Sequence, residues 1–191
     1  MEGSDPAIEQ VLDFWFGPQA GASRPEWFRK SDRFDAQIRE RFGALHERAA
    51  AGGLADWEAA PRPALALLVV LDQFSRNLHR NDARAFAQDA RALRVAEAMV
   101  ERGWDRELLP VQRQFAYLPF EHAEDLAAQE RAMALFGALE DYPETKGLVD
   151  WAAKHRVIIR RFGRFPHRNA AQGRASTAEE LAFLREPGSG F

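Results

Sequence analysis

Twelve residues late in the chain, Gly163 to Arg174 (GRFPHRNAAQGR), hold three arginines, a histidine, an asparagine and two glycines, with no acid among them. Arg164, His167, Arg168 and Asn169 offer many N–H donors within six residues, the chemistry that grips a carboxylate or phosphate. Gly and Pro shape such a loop so that its donors can aim at one point. The run from Trp151 to Ala175 carries seven Lys/Arg and no Asp or Glu, although the net charge of the whole chain is −3. His155, upstream, falls on an otherwise apolar helical stripe. There a hydrogen-bonded core residue is the ordinary reading and a ligand-facing imidazole the functional one.

Two further clusters carry chemistry. In PFEHAED (Pro119 to Asp125), Glu121 and His122 put a carboxylate beside an imidazole, which suits general acid/base work. Glu124 and Asp125 follow, and acids there also favour the start of a following helix. In LDQFSRN (Leu71 to Asn77), Asp72 and Arg76 stand four apart on one face, as do Gln73 and Asn77. A proton-moving set would be His122 or His167, oriented by Glu121 or Glu124. A ligand-holding set would be Asp72, Arg76, Asn77, Glu124, His155, Arg164, Arg168 and Asn169. The competing reading is internal: the arginines pair with the acids of PFEHAED and lock two junctions together. HEXXH and the ExxH pairs of di-iron bundles are absent, so no residue is assigned to a metal and no cofactor is implied.

These clusters need elements to position them, and nearly every segment reads at helical period, with no period-two strand. A first helix starts at Ser4 or Asp5, with Pro6 in its first turn, and stops at Gly17-Pro18. A second spans about Ser31 to Ala50, and a third begins near Pro63 and is apolar around most of its circumference. A fourth covers about Ala83 to Arg102. A fifth runs from about Leu109 to Tyr117, where Pro119 is expected to break it and leave Phe120 to Glu124 as a junction. A sixth follows from Asp125 to Leu139 and a seventh from Lys146 to Phe162. Ser176 with Glu179 makes a capping box for a last short helix ending near Leu184. Trp27-Phe28 falls in a loop that could lid a pocket. The expectation is a single all-α domain over 1–191, about eight helices in stacked antiparallel hairpins, with 185–191 a loose tail.

The 191 residues suffice for one substantial core, and the absence of cysteine excludes disulfides, thiol catalysis and thiolate metal sites. The slightly acidic balance argues against general nucleic-acid binding. The longest apolar run, Ala64 to Leu71, is far short of the roughly 20 residues of a membrane helix. A cytoplasmic location is the default for such a chain, with no membrane and no nucleic acid as partner.

VLDFWFG (Val11 to Gly17), LDQFSRN, AFAQDA (Ala85 to Ala90), YLPFEHAEDLAAQE (Tyr117 to Glu130), GRFPHRN (Gly163 to Asn169) and STAEELAFL (Ser176 to Leu184) occur in that order. With them, nearly the whole chain resembles the bacterial family named domain of unknown function 924. The resemblance implies a tetratricopeptide-like helical fold and no assigned reaction. Ser75 stands where the family usually shows proline, which should relax the helix end slightly. Two functions remain open: a localised Arg/His/Glu pocket for a small anionic ligand, as a binding or enzyme site, and an interaction module presenting stacked hairpins to a protein partner.

Overall fold

The computed structural model describes residues 5–190, and among these all regular structure is helical. The α-helical segments are α1 (Pro6–Phe16), α2 (Asp32–Ala50), α3 (Pro61–Leu68), α4 (Ser75–Leu78), α5 (Asp89–Glu101), α6 (Pro110–His122), α7 (Leu126–Gly137), α8 (Leu148–Phe162) and α9 (Ala178–Phe183). Between α3 and α4 the chain does not leave the helix but rewinds as a π-helix, Val69–Phe74. Among the described residues α3, the π segment and α4 thus form one rod, whose stretch from Ala64 to Leu71 is apolar on every side, each residue at most 1% exposed. No helix among the described residues is long and apolar enough to cross a membrane.

The rod is the axis of the core. Trp15 and Phe16 of α1, Phe42 of α2, Phe74 of the π segment and Phe115 of α6 meet around it in edge-on and stacked pairs. Trp27 joins this cluster, 4.8 Å from Phe115, with its indole N–H donating to the Trp15 carbonyl. It is therefore a wall of the core and not a lid. Further along, α5 packs on α6, α6 on α7 and α7 on α8. A second, smaller apolar cluster of Ile158, Ile159 and Phe165, flanked by Phe162 and Phe183, holds α9 and the loop before it.

Several ends follow sequence logic. Asp5 caps α1 by accepting from the Ala7 N–H, Ser31 caps α2, and Asp125 caps α7. Ser4, the other expected start, lies outside the described residues, as does Phe191 of the expected tail. Gly163 takes φ 70° and returns its N–H to the Ile159 carbonyl, closing α8 where a side chain would be strained.

Other ends differ from expectation. Pro119 does not break α6 but lies inside it, and the helix continues through Phe120, Glu121 and His122. Proline already has a helical φ, and burial of Val111, Phe115, Ala116 and Phe120 offsets the missing donor. The expected fourth helix begins only at Asp89; before it, Asp82 accepts from the Arg84 N–H and starts a separate 3₁₀ turn, Ala83–Ala85.

The last cap shifts by one residue, from Ser176 to Thr177. The Thr177 hydroxyl accepts from the Glu180 N–H, and the Glu180 carboxylate accepts from the Thr177 N–H. Ser176 instead accepts from the Asn169 side chain. Thr177→Ala should then lower stability by about 1 kcal/mol, while Ser176→Ala should cost less; equal shifts of the urea midpoint would contradict this cap.

Candidate functional site

The π segment presents Asp72, 1% exposed, to two partners on different elements. Its Oδ1 lies 2.7 Å from His122 Nδ1 at the end of α6 and 3.0 Å from Arg76 Nη1 on α4. Burial alone would push the Asp72 carboxyl up, but Arg76 and His122 outweigh it and hold the group well below the carboxylate range. Asp72 is therefore an anion that can only accept, so His122 Nδ1 carries the proton and donates it. Burial and Arg76 together lower the His122 pKa despite Asp72, so the ring is neutral at pH 7 with its lone pair on Nε2. No hydrogen bond occupies that nitrogen among the described residues.

Arg76 also makes a forked pair with Asp89, at 2.9 and 3.0 Å, from the first turn of α5. The same Asp89 accepts from Arg168 at 3.1 Å, across 79 residues of chain. Arg168 is 5% exposed and its guanidinium lies between Phe86 and Phe165, 4.6 and 4.4 Å from the ring centres. Its Nε–H is buried and has no acceptor. Burial and the nearby Arg76 push its pKa down to about 10, so the charge persists at neutral pH.

The other wall is neutral. Burial, with Asp72 close by, pushes the Glu121 carboxyl up to about 8, so it is protonated at pH 7. His155 Nδ1 approaches both the Trp151 carbonyl, at 2.9 Å, and Glu121 Oε1, at 3.1 Å. A carbonyl can only accept, so this nitrogen carries the proton, and burial with His122 nearby holds the His155 pKa at about 3. His167 packs 5.7 Å from Phe165, and burial with the Arg168 charge lowers it to about 4.

The structure thus brings together Asp72, Arg76, Glu121, His122, His155 and Arg168, with His167 at the margin. Four expected ligand residues face elsewhere. Asn77 donates to Asp35, which also holds Arg80. Arg164 makes a forked pair with Glu180 at 2.7 and 2.8 Å, and Asn169 donates to the same carboxylate. Glu124 is the locking acid: it holds Arg174 at 2.6 and 2.8 Å and accepts from the Phe165 N–H. The pairing foreseen between the basic loop and PFEHAED therefore exists at Glu124, but Arg164 and Arg168 use other acids.

Asp89 and Arg174 were not singled out from sequence. Asp89 reads as an ordinary acid inside the expected fourth helix; its signal is the place of AFAQDA among the long motifs. Neither of the two described surface hollows touches this centre. The larger, about 400 Å³, is lined by Asp5, Arg48, Trp57 and their neighbours. Among the described residues, the side chains spaced as metal ligands are also elsewhere, at His46, Glu47 and His79.

Residues 11–188 match the model of the family described as bacterial protein of unknown function, DUF924. A solved structure, that of a protein of unknown function, ATU0120, from Agrobacterium tumefaciens, is similar with a TM-score of 0.84 and 39% identity. The match covers 94% of this chain and 97% of that one. No curated protein matches the chain.

Proposed function

This chain belongs to the DUF924 family of bacterial proteins, and we propose that its polar centre is a proton-handling site for a small cytoplasmic anion, with His122 as the base. One observation carries the reading: the 2.7 Å contact between His122 Nδ1 and Asp72, which fixes the tautomer and leaves Nε2 as an unoccupied lone pair. A carboxylate in that place orients the ring and stabilises the imidazolium formed when Nε2 takes a proton. Glu121, kept protonated by burial, is the complementary acid. Environments that push two titrating groups apart in this way are how one site supplies both roles.

The anion-holding part falls to Arg168 and Arg76. Asp89 balances them in the free protein, so a bound carboxylate or phosphate would take over donors that Asp89 now engages and meet the idle Arg168 Nε–H. Proton transfer is what these groups supply; they name no bond to be broken.

A thermal-shift screen of small carboxylates and phosphate esters tests the reading. At a hundredfold excess over Kd a true ligand adds about 2.7 kcal/mol and raises Tm by roughly 5–10 °C. That shift should vanish in Arg168→Lys and shrink in His122→Asn. A shift that survives both substitutions, or a screen in which only peptides or proteins stabilise the chain, sinks the pocket reading; the latter would favour an interaction module.

A further inference from the structure

A different pair of histidines has a geometry that the polar centre does not use. His46 lies on the inner side of α2, 4% exposed, and its Nε2 is 2.8 Å from Ser75 Oγ. The Ser75 hydroxyl has one hydrogen, and it goes to the Leu71 carbonyl at 2.6 Å. Ser75 can therefore only accept from His46, which fixes the proton on Nε2 and leaves Nδ1 as a bare lone pair. That Nδ1 is fully buried and has no hydrogen-bond partner. His79, at the end of α4, faces the same spot with ring centres 5.3 Å apart, and Glu47 stands beside them. Ligand atoms of the three residues lie within 4.8 Å of one another.

We infer that His46, Glu47 and His79 form a binding site for a borderline divalent metal ion of the zinc type. An imidazole whose far nitrogen is held by a protein acceptor is how metal-binding histidines are oriented, and here Ser75 is that acceptor. Two imidazoles and a carboxylate suit zinc and its neighbours over magnesium or calcium, and leave a fourth position for water. Ligands about 2.1 Å from a tetrahedral ion stand roughly 3.4 Å apart, so the group must close by about an ångström. The anchor His46 is fixed, whereas Glu47 is exposed and His79 half-buried, so those two supply the movement. The neighbouring cations are partly spoken for: Arg84 pairs with Asp82, and Arg39 donates to the Leu78 carbonyl.

The test is titration of tag-free, full-length protein with Zn²⁺ by calorimetry and with Co²⁺ by visible absorption. One ion per chain is expected, with Co²⁺ bands of low-coordinate geometry. Affinity should fall at least tenfold in His79→Ala and again in His46→Gln, with a smaller loss in Glu47→Gln. His79→Ala is decisive because a half-buried residue at a helix end can be removed without unfolding the protein. Absence of binding at millimolar Co²⁺, or an affinity unchanged in His79→Ala, overturns the inference; the second result would place the ion elsewhere.

Discussion

Asp89→Ala is expected to destabilise the protein by about 3–5 kcal/mol, out of proportion to the loss of one partly exposed acid. Among the described residues, Asp89 is the acid within hydrogen-bonding distance of Arg168 and one of two for Arg76. Without it Arg76 keeps Asp72, but Arg168 remains buried between two phenylalanine rings with its charge uncompensated. Removing the other partner has a different outcome. Arg168→Met deletes a charge, a buried Nε–H that has no acceptor among the described residues and two cation–π contacts, and leaves Asp89 on Arg76. That change should cost less than about 2 kcal/mol, because an apolar side chain of similar length can replace a buried ion with little loss. The double variant should be more stable than Asp89→Ala alone, a coupling that urea midpoints at constant m-value can measure. Equal costs for the two single changes would mean that solvent, not Asp89, compensates Arg168.

The second large effect is a stability maximum near pH 6.5, with Glu121 responsible for the alkaline side. Folding raises the Glu121 pKa from 4.5 to about 8, so between those values the native state holds a proton that the unfolded chain releases. Stability therefore falls as pH rises through that window. The histidines act oppositely. His155 and His167 drop from 6.5 to about 3 and about 4, so below pH 6.5 the unfolded chain takes up protons that the native state refuses. His46, His79 and His122 are shifted down as well, so the histidines together outweigh one Glu121 below pH 6.5 and stability rises with pH there; as their contribution fades above it, Glu121 sets the decline. Glu121→Gln should abolish the decline between pH 6.5 and 8, gaining on the order of a few kcal/mol relative to wild type at pH 9. A profile that is flat across that interval in the wild type would show that Glu121 ionises normally.

What the sequence made legible depended on whether a local rule had a rival. Ser31, Asp125 and Gly163 are unrivalled stop and start signals, and they mark helix ends as expected. Ser176/Glu179 and Thr177/Glu180 both fit the capping-box spacing. Tertiary structure decides between them: Arg164 and Asn169 both hold the Glu180 carboxylate, and Asn169 engages Ser176. Pro119 stays helical against its local propensity because propensity is local, whereas burial around α6 is not.

The site followed the same logic. Types and spacing drew attention to Asp72, Arg76, Glu121, His122 and Arg168, which do meet. They could not show which acid each arginine would choose, since Asp89 and Glu124 reach their partners across 79 and 50 residues. Nor could they find His46: its partner Ser75 is set by the winding of the rod, and winding leaves no mark in composition.

That winding makes the middle of the rod respond differently to a residue lost and a residue gained. A π turn holds one residue more than an α turn, so α3 and α4 are out of phase by about 100° relative to an uninterrupted α-helix. Val69, Val70 and Leu71 could exchange among aliphatic types and keep that phase. Loss of one residue between Val69 and Phe74 would remove the extra residue of the π turn, so the segment could relax to α with Ser75, Arg76 and Asn77 still facing His46, Asp89 and Asp35, whereas one inserted residue would turn all three away together by about 100°.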